Sequence, residues 1–348
     1  MKKLLFATLS IALASVISLF VMEFVVRMAI PAYDPSGHIT FVIGKAATMK
    51  QVGYPLEQIG RPNSVQRQIK NTGDYDVLIR FNEYGFRDSN ELSESTSKDF
   101  FVLGDSLSFG WGVEADKRLS EQLEKITKTR FYNISIPGDL VFQKSLIDYA
   151  KKKGAIIKNL VILFSNEVRL RNYEKKTVVK TPVQTGLKLI TVKRYLMSHS
   201  ALYFLVTSFI HRVPAHKKIA IDSGLLIPNL EGFQERDYDP VAVKSSSRKL
   251  ANIAKDYATL VVLSPSRGIW SGTKRESVKK NHIGLIRNLE KLGVKVLDLV
   301  PAFEKDGAPL QKFFKNDGHW KAETHVFVAK LVAQYMKNYP STFPLNKP

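Results

Sequence analysis

From residue 99 to about residue 340 the chain alternates short apolar runs with stretches whose apolar residues recur every three or four positions. FFVLG (100–104), RFYNISIPG (130–138), NLVILFSN (159–166), TLVVLSPS (259–266) and VKVLDLV (294–300) are apolar runs of strand length. LSEQLEKITK (119–128) sets Leu119, Leu123 and Ile126 on one helical face. FQKSLIDYAKKKG (142–154) reads as a helix with lysines in its last turn and Gly154 as its stop. A final helix is expected from Ala322 to Lys337. Continuous apolar strands alternating with amphipathic helices predict βαβ units and a parallel sheet with both faces covered.

Two stretches fall outside this rhythm. Residues 31–75 contain Pro31, Pro35, Pro55 and Pro62 and read as a connecting region with short strands. A strand-like run and a turn at Tyr84-Gly85 follow over 76–88, and then a polar loop over 91–99. Residues 167–255 interrupt the alternation, and VKRYLMSHSALYFLVTSFIHRV (192–213) within them has helical periodicity and several aromatics. Two readings of this insertion stand at this point: a cover over the site, or a structural helical pair at the sheet edge. The expected organisation is an N-terminal segment (1–30), the connecting region (31–96) and an α/β domain (97–340).

The N-terminus has a different pattern again. Lys2 and Lys3 precede 19 residues without a charge, Leu4 to Met22, near the roughly 20 needed to cross a bilayer as a helix. Ala12-Leu13-Ala14, the candidate cleavage site, lies inside that run rather than after it, which favours an uncleaved anchor over a cleaved signal. The two lysines are expected to stay in the cytoplasm, which sends the rest of the chain outward.

Charge and composition narrow the partners. Across 348 residues, 52 Lys and Arg against 32 Asp and Glu give a net charge of +20. No arginine-rich arm, zinc finger or aromatic RNA-binding signature accompanies that charge, so nucleic acid is not the expected partner. The charge reads first as a solvated lysine-rich surface and second as one attracted to an acidic membrane face or an envelope glycan. The absence of cysteine excludes disulfides, thiolate metal sites and a cysteine nucleophile. No phosphate-binding loop and no histidine pair at metal-ligand spacing occurs, so neither cofactor nor metal is expected.

Candidate chemistry gathers where the strands end. In open α/β sheets ligands bind beyond the carboxyl ends of the strands. Ser106, Gly138, Asn166 and the loop FFKNDGHW (313–320) all fall at or after such ends. A serine hydroxyl needs a base in hydrogen-bond reach and a third group to orient that base. Asp317-Gly318-His319 offers both if the segment is extended, since i and i+2 then project to one side. The backbone N–H groups of Ser106 and Gly138 and the Asn166 side chain are candidate oxyanion donors. Taken singly, these residues also read as a cap serine, a turn glycine, a capping asparagine and a surface histidine.

GDSLSFG (104–110), Gly138, Asn166 in FSNEV and DGHW (317–320), in that order, resemble the four sequence blocks of the SGNH, or GDSL, hydrolase family. GFRD (85–88) and the apolar N-terminus look like the bacterial membrane-anchored branch. The pattern departs from the family's in the two-residue Asp–His spacing, in the serine before Asn166 and in the insertion. The resemblance implies a three-layer fold with a central, mostly parallel five-stranded sheet, plus the helical insertion and a transmembrane start. It implies ester hydrolysis through an acyl-enzyme on Ser106, with His319 as base and Asp317 orienting it. Ser106, Gly138 and Asn166 would form the oxyanion hole, while Asp105 would fix the turn. Phe109, Trp111 and Trp320 read first as ordinary packing residues and second as aromatics stacked on the substrate, which would be an acyl or acetyl ester of a small molecule, glycan or lipid. The implied location is the bacterial membrane with the domain in the periplasm, or secretion if the start is cleaved. Two alternatives use the same chain differently: an O-acyltransferase acting on envelope glycans, and a non-catalytic, membrane-tethered glycan-binding module.

Overall fold

A computed structural model describes residues 2–39, 41–42, 59–165, 169–174, 192, 195–223 and 236–345. Along the chain the helices are α1 (Lys2–Ala29), α2 (Ser106–Phe109), α3 (Leu119–Thr127), α4 (Leu140–Lys152) and α5 (Ala201–Arg212). They continue as α6 (Pro214–Asp222), α7 (Pro240–Ala254), α8 (Arg275–Lys291), α9 (Val300–Lys305) and α10 (Ala322–Asn338). The chain clusters into two compact units, one of residues 1–39, 66–76 and 180–228, the other of 40–65, 77–179 and 229–348.

The larger unit is built on a sheet of β1 (Phe100–Gly104), β2 (Phe131–Asn133), β3 (Asn159–Ser165), β4 (Ala258–Ser264) and β5 (Lys295–Asp298). The spatial order is β2-β1-β3-β4-β5 and every pairing is parallel. Alternate residues serve opposite faces, as the period of two requires. Phe101, Leu103, Ile162 and Val261 face a core that includes Leu146 of α4, Leu250 of α7 and Leu285 of α8. Phe100, Val102, Val161 and Val262 face a second core with Leu123 of α3 and Val332 of α10. The expected three-layer α/β fold is therefore present, with a fully parallel central sheet. Its strand order reverses between β1 and β3, which opens a crevice at their carboxyl ends.

Of the differences between the sequence reading and the structure, three bear most on the sheet and its cores. The second strand, expected over 130–138, stops at Asn133 because the Ser135 backbone N–H turns back to the Asn133 side-chain oxygen at 3.0 Å. Helix α7 lies inside the expected insertion, yet its Ala242, Val243, Leu250 and Ile253 belong to the first core. Helix α8 was not anticipated, because buried Asn281 and His282 occupy slots on its inner face between Val278 and Leu285.

The smaller unit contains α1, whose stretch from Lys3 to Ala29 is long and apolar enough to cross a membrane and is exposed apart from its last turns, where Val26 is buried. Within this unit α5 and α6 follow each other directly, and Arg67 pairs with Asp76 at 2.6 Å.

Candidate active site

Residues 104–110 turn the chain sharply at the carboxyl end of β1. Gly104 has no room for a side chain: a Cβ there would lie 2.5 Å from the Leu163 carbonyl oxygen of the neighbouring strand. Asp105 caps the helix that follows by accepting from the Leu107 N–H at 3.1 Å, and its other oxygen meets Arg169 at 3.4 Å. Ser106 is thus the first residue of α2, with its hydroxyl not used for the cap. Gly110 ends α2 in the left-handed conformation, φ 81°.

The loop after α9 brings the other two groups. An antiparallel bridge between Phe313 and Trp320 closes its neck, and the Phe314 N–H donates to the His319 carbonyl at 2.9 Å. Both neck aromatics are buried in the second core, which ties the loop to the sheet layer. At the tip the backbone bends instead of running extended. The Asp317 carboxylate accepts from the His319 backbone N–H at 3.1 Å and also bonds ring Nδ1 of the same residue. Ring Nε2 lies 2.8 Å from Ser106 Oγ, across 213 positions of sequence.

This arrangement has a definite chemical capacity. Asp317 is buried and His319 is about a quarter exposed, 23% by side chain. With Nδ1–H donating to the carboxylate, Nε2 keeps its lone pair for the serine proton. The Trp111 ring stacks on the imidazole with centroids 5.4 Å apart and planes 24° from parallel, which further restricts ring rotation.

The remaining expected residues are placed unevenly. Gly138 precedes α4, where Asp139 caps by accepting from the Val141 and Phe142 N–H groups at 2.8 and 2.9 Å. A side chain at Gly138 would run into the Phe142 ring. Asn166 lies outside the described residues. Phe109 and Trp320 are both fully buried, in keeping with the packing reading, and offer a substrate no surface. Trp111 is partly exposed and touches the imidazole instead.

Sequence reasoning attached no physical role to the residues that brace this turn. Arg87 is buried and donates to the carbonyls of Gly110 at 2.6 Å and Val113 at 2.7 Å, holding the segment that carries Trp111. Arg118 is buried as well, donating to the Arg87 carbonyl and to Glu121. Asp88 accepts from the backbone N–H groups of Asn90, at 2.7 Å, and Asn133. Asn133 in turn donates to the Ser108 carbonyl and Ser120 Oγ, both at 2.9 Å. Burial pushes the Asp88 carboxyl up to about 7 against the pull of the Arg118 charge. Burial first, and then Arg118, holds the Arg87 guanidinium well below its ordinary range. The available signal was GFRD, a charged pair directly after an apolar turn. Among the described residues no group of three or more His, Cys, Asp or Glu side chains is arranged to hold a metal ion.

No family model matches the chain, and no curated relative does. Similar solved structures include a member of the lipolytic protein G-D-S-L family from Veillonella parvula DSM 2008. That likeness has 13% identity, 68% of this chain and 96% of that chain covered, and a TM-score of 0.39. A carbohydrate esterase family 2 enzyme with a carbohydrate binding domain from Corynascus thermopiles (Myceliophthora fergusii) is similar over 72% of this chain and 68% of that chain. Its identity is 11% and its TM-score 0.39. An acetyl xylan esterase from the rumen bacterium Butyrivibrio proteoclasticus is similar at 11% identity over 71% of this chain and 65% of that one, with a TM-score of 0.34. The chain is thus similar in structure, at low identity, to G-D-S-L lipolytic proteins and carbohydrate esterases.

Proposed function

We propose that this chain is a serine ester hydrolase that forms an acyl-enzyme on Ser106, acts on acyl or acetyl esters of the cell envelope, and is held there by α1. The observation that supports it is one imidazole bonded at both nitrogens, to a buried carboxylate and to the serine hydroxyl. Ser106 Oγ attacks the ester carbonyl while His319 Nε2 takes its proton. The carbonyl oxygen becomes an oxyanion, for which the N–H groups of Ser106 and Gly138 and the Asn166 amide are the proposed donors. Collapse of this intermediate expels the alcohol, which receives the proton from Nε2. A water then gives a proton to Nε2 and attacks the acyl carbonyl, releasing the acid and restoring Ser106. Asp317 keeps the imidazole in the tautomer this needs. The +20 net charge fits substrates set in an acidic envelope.

A fluorophosphonate probe tests the reading directly. The full chain in detergent or vesicles is expected to label at one site and to hydrolyse short-chain aryl esters, with both properties lost in Ser106→Ala. Undiminished labelling or turnover in that variant would remove Ser106 as nucleophile.

A further inference from the structure

Helix α5 leaves part of its apolar surface outward, although Leu202, Phe204, Leu205 and Ile210 are half-buried. Its fully buried residues are Ala201 and Ser208, while Val206 is 47% and Phe209 58% exposed. The pattern continues on both sides: Tyr195 and Met197 precede it exposed, and Ile219 of α6 is 64% exposed. Exposed large apolar side chains recurring through one contiguous segment mark a surface meant for a nonaqueous neighbour.

The attachment of α5 to α1 says which neighbour. Leu4 to Met22 rise about 28 Å as a helix, close to the roughly 30 Å of a bilayer's hydrocarbon. Within that run Thr8 and Ser15 turn their hydroxyls onto the carbonyls of Leu4 and Ile11 at 2.8 Å, so they need no water. Glu23 is the first charge after the run, and it also caps α5. Its carboxylate accepts from Ser200 Oγ at 2.7 Å and from the N–H groups of Ala201 and Leu202 at 2.8 and 2.9 Å. Arg27 secures the joint, donating to Glu23 at 2.7 Å and to the His199 carbonyl at 2.6 Å. The residue that marks the edge of the hydrocarbon therefore also marks where α5 begins.

We propose that residues 195–222 form a platform lying in the lipid headgroup boundary, with Val206, Phe209 and Ile219 immersed beside the exit of α1. The inference rests on reading α1 as a spanning helix. Lys217 and Lys218 of α6 suit the anionic headgroups at that depth, and exposed Tyr195 suits the same boundary. The occupant is the bilayer surface, not a protein, because the cap fixes α5 to that depth.

The test uses the full chain reconstituted in vesicles of phosphatidylcholine and phosphatidylglycerol. The sequence has no cysteine, so Ser15→Cys, Val206→Cys, Phe209→Cys, Ile219→Cys and Val241→Cys each give one labelling site. A bimane label at each is challenged with acyl-chain nitroxide lipids and with iodide. Nitroxide quenching several-fold stronger at 15, 206, 209 and 219 than at 241, with shielding from iodide, is the expected result. Iodide access at 206, 209 and 219 equal to that at 241 overturns the proposal. Shielding from both quenchers there means that protein covers the face, a second copy or a partner, and overturns it as well. Ser15 separates the two readings: lipid quenching at Ser15 alone keeps the spanning helix and removes the platform, and none at Ser15 removes both. Adding Glu23→Ala removes the tie from α1 to the start of α5, leaving the Ser200 cap on Tyr203 in place, and is expected to lower lipid quenching at 209 at least twofold; unchanged quenching overturns the docking by Glu23.

Discussion

At the carboxyl end of β1 the turn carrying Ser106 takes part in two polar constellations of different construction. Ser106, His319 and Asp317 form a line that runs from a buried carboxylate outward to a partly exposed hydroxyl. Arg87, Asp88, Arg118 and Asn133 lie within the protein, and their bonds run mostly to backbone groups of the same turn and its neighbours. The first arrangement leaves a proton free to move between two groups; the second fixes the backbone that aims them. A polar cluster is suited to chemistry when its last member faces solvent, and to bracing when its members are spent on carbonyls and amides.

The largest effect should come from removing the outermost group. Ser106→Ala is expected to lower ester hydrolysis on the order of 10⁴–10⁶-fold, while urea unfolding shows a midpoint close to that of the parent. A small rate loss would mean that the line of three groups is not a working triad. Asp317→Asn keeps the shape but favours the wrong tautomer, and a loss of about 10⁴-fold is expected in the rate. Full activity in that variant would leave the carboxylate with only its turn to hold, through the His319 backbone N–H.

These two constellations were not equally legible in the sequence. Ser106, Asp317 and His319 stand out because each is a reactive residue type at a strand end or in a glycine turn, where local pattern alone points to them. The brace is a matter of distance along the chain: Arg87 reaches Gly110 and Val113, and Asp88 reaches Asn133, 45 positions on. No local periodicity encodes such contacts. The same limit hid α7 and α8. Ser245, Ser246 and Ser247 of α7 are buried, and Ser245 and Ser246 bond the backbone of Tyr173 and Arg171, so a core face reads as polar. The strands β1, β3 and β4 were plain because burial on both faces keeps their middles apolar.

Breaking the brace should cost stability before chemistry. Arg87→Met fills similar volume but leaves the Gly110 and Val113 carbonyls without their charged donor. Destabilisation of about 3 kcal/mol is expected from the lost charge-assisted bonds, measured by urea unfolding. Because the same carbonyls position Trp111 against His319, hydrolysis per folded molecule should fall modestly too. Unchanged stability would show that water replaces the guanidinium without penalty, and the comparison would lose its structural half.

The effect most specific to the buried member is a dependence on pH. Asp88 titrates near 7 because burial disfavours its charge, with Glu121 adding to that and Arg118 opposing it. In the unfolded chain an aspartate loses its proton near 3.9. Between those values the folded protein retains a proton that the unfolded chain has released, so stability contributed by this group is greatest below about pH 4 and falls as pH rises toward 7. Above that range the contribution is flat. Asp88→Asn removes the titration, so the difference between parent and variant unfolding free energies should slope across this window and level off beyond it. Taking the difference cancels the other carboxylates, which titrate alike in both proteins. Parallel profiles would mean that Asp88 is ionised in the fold, stabilised by the Asn90 and Asn133 amides more than burial opposes it. Hydrolysis per folded molecule should stay within about tenfold of the parent, since Asp88 touches neither Ser106 nor His319; a larger loss would merge the two constellations into one.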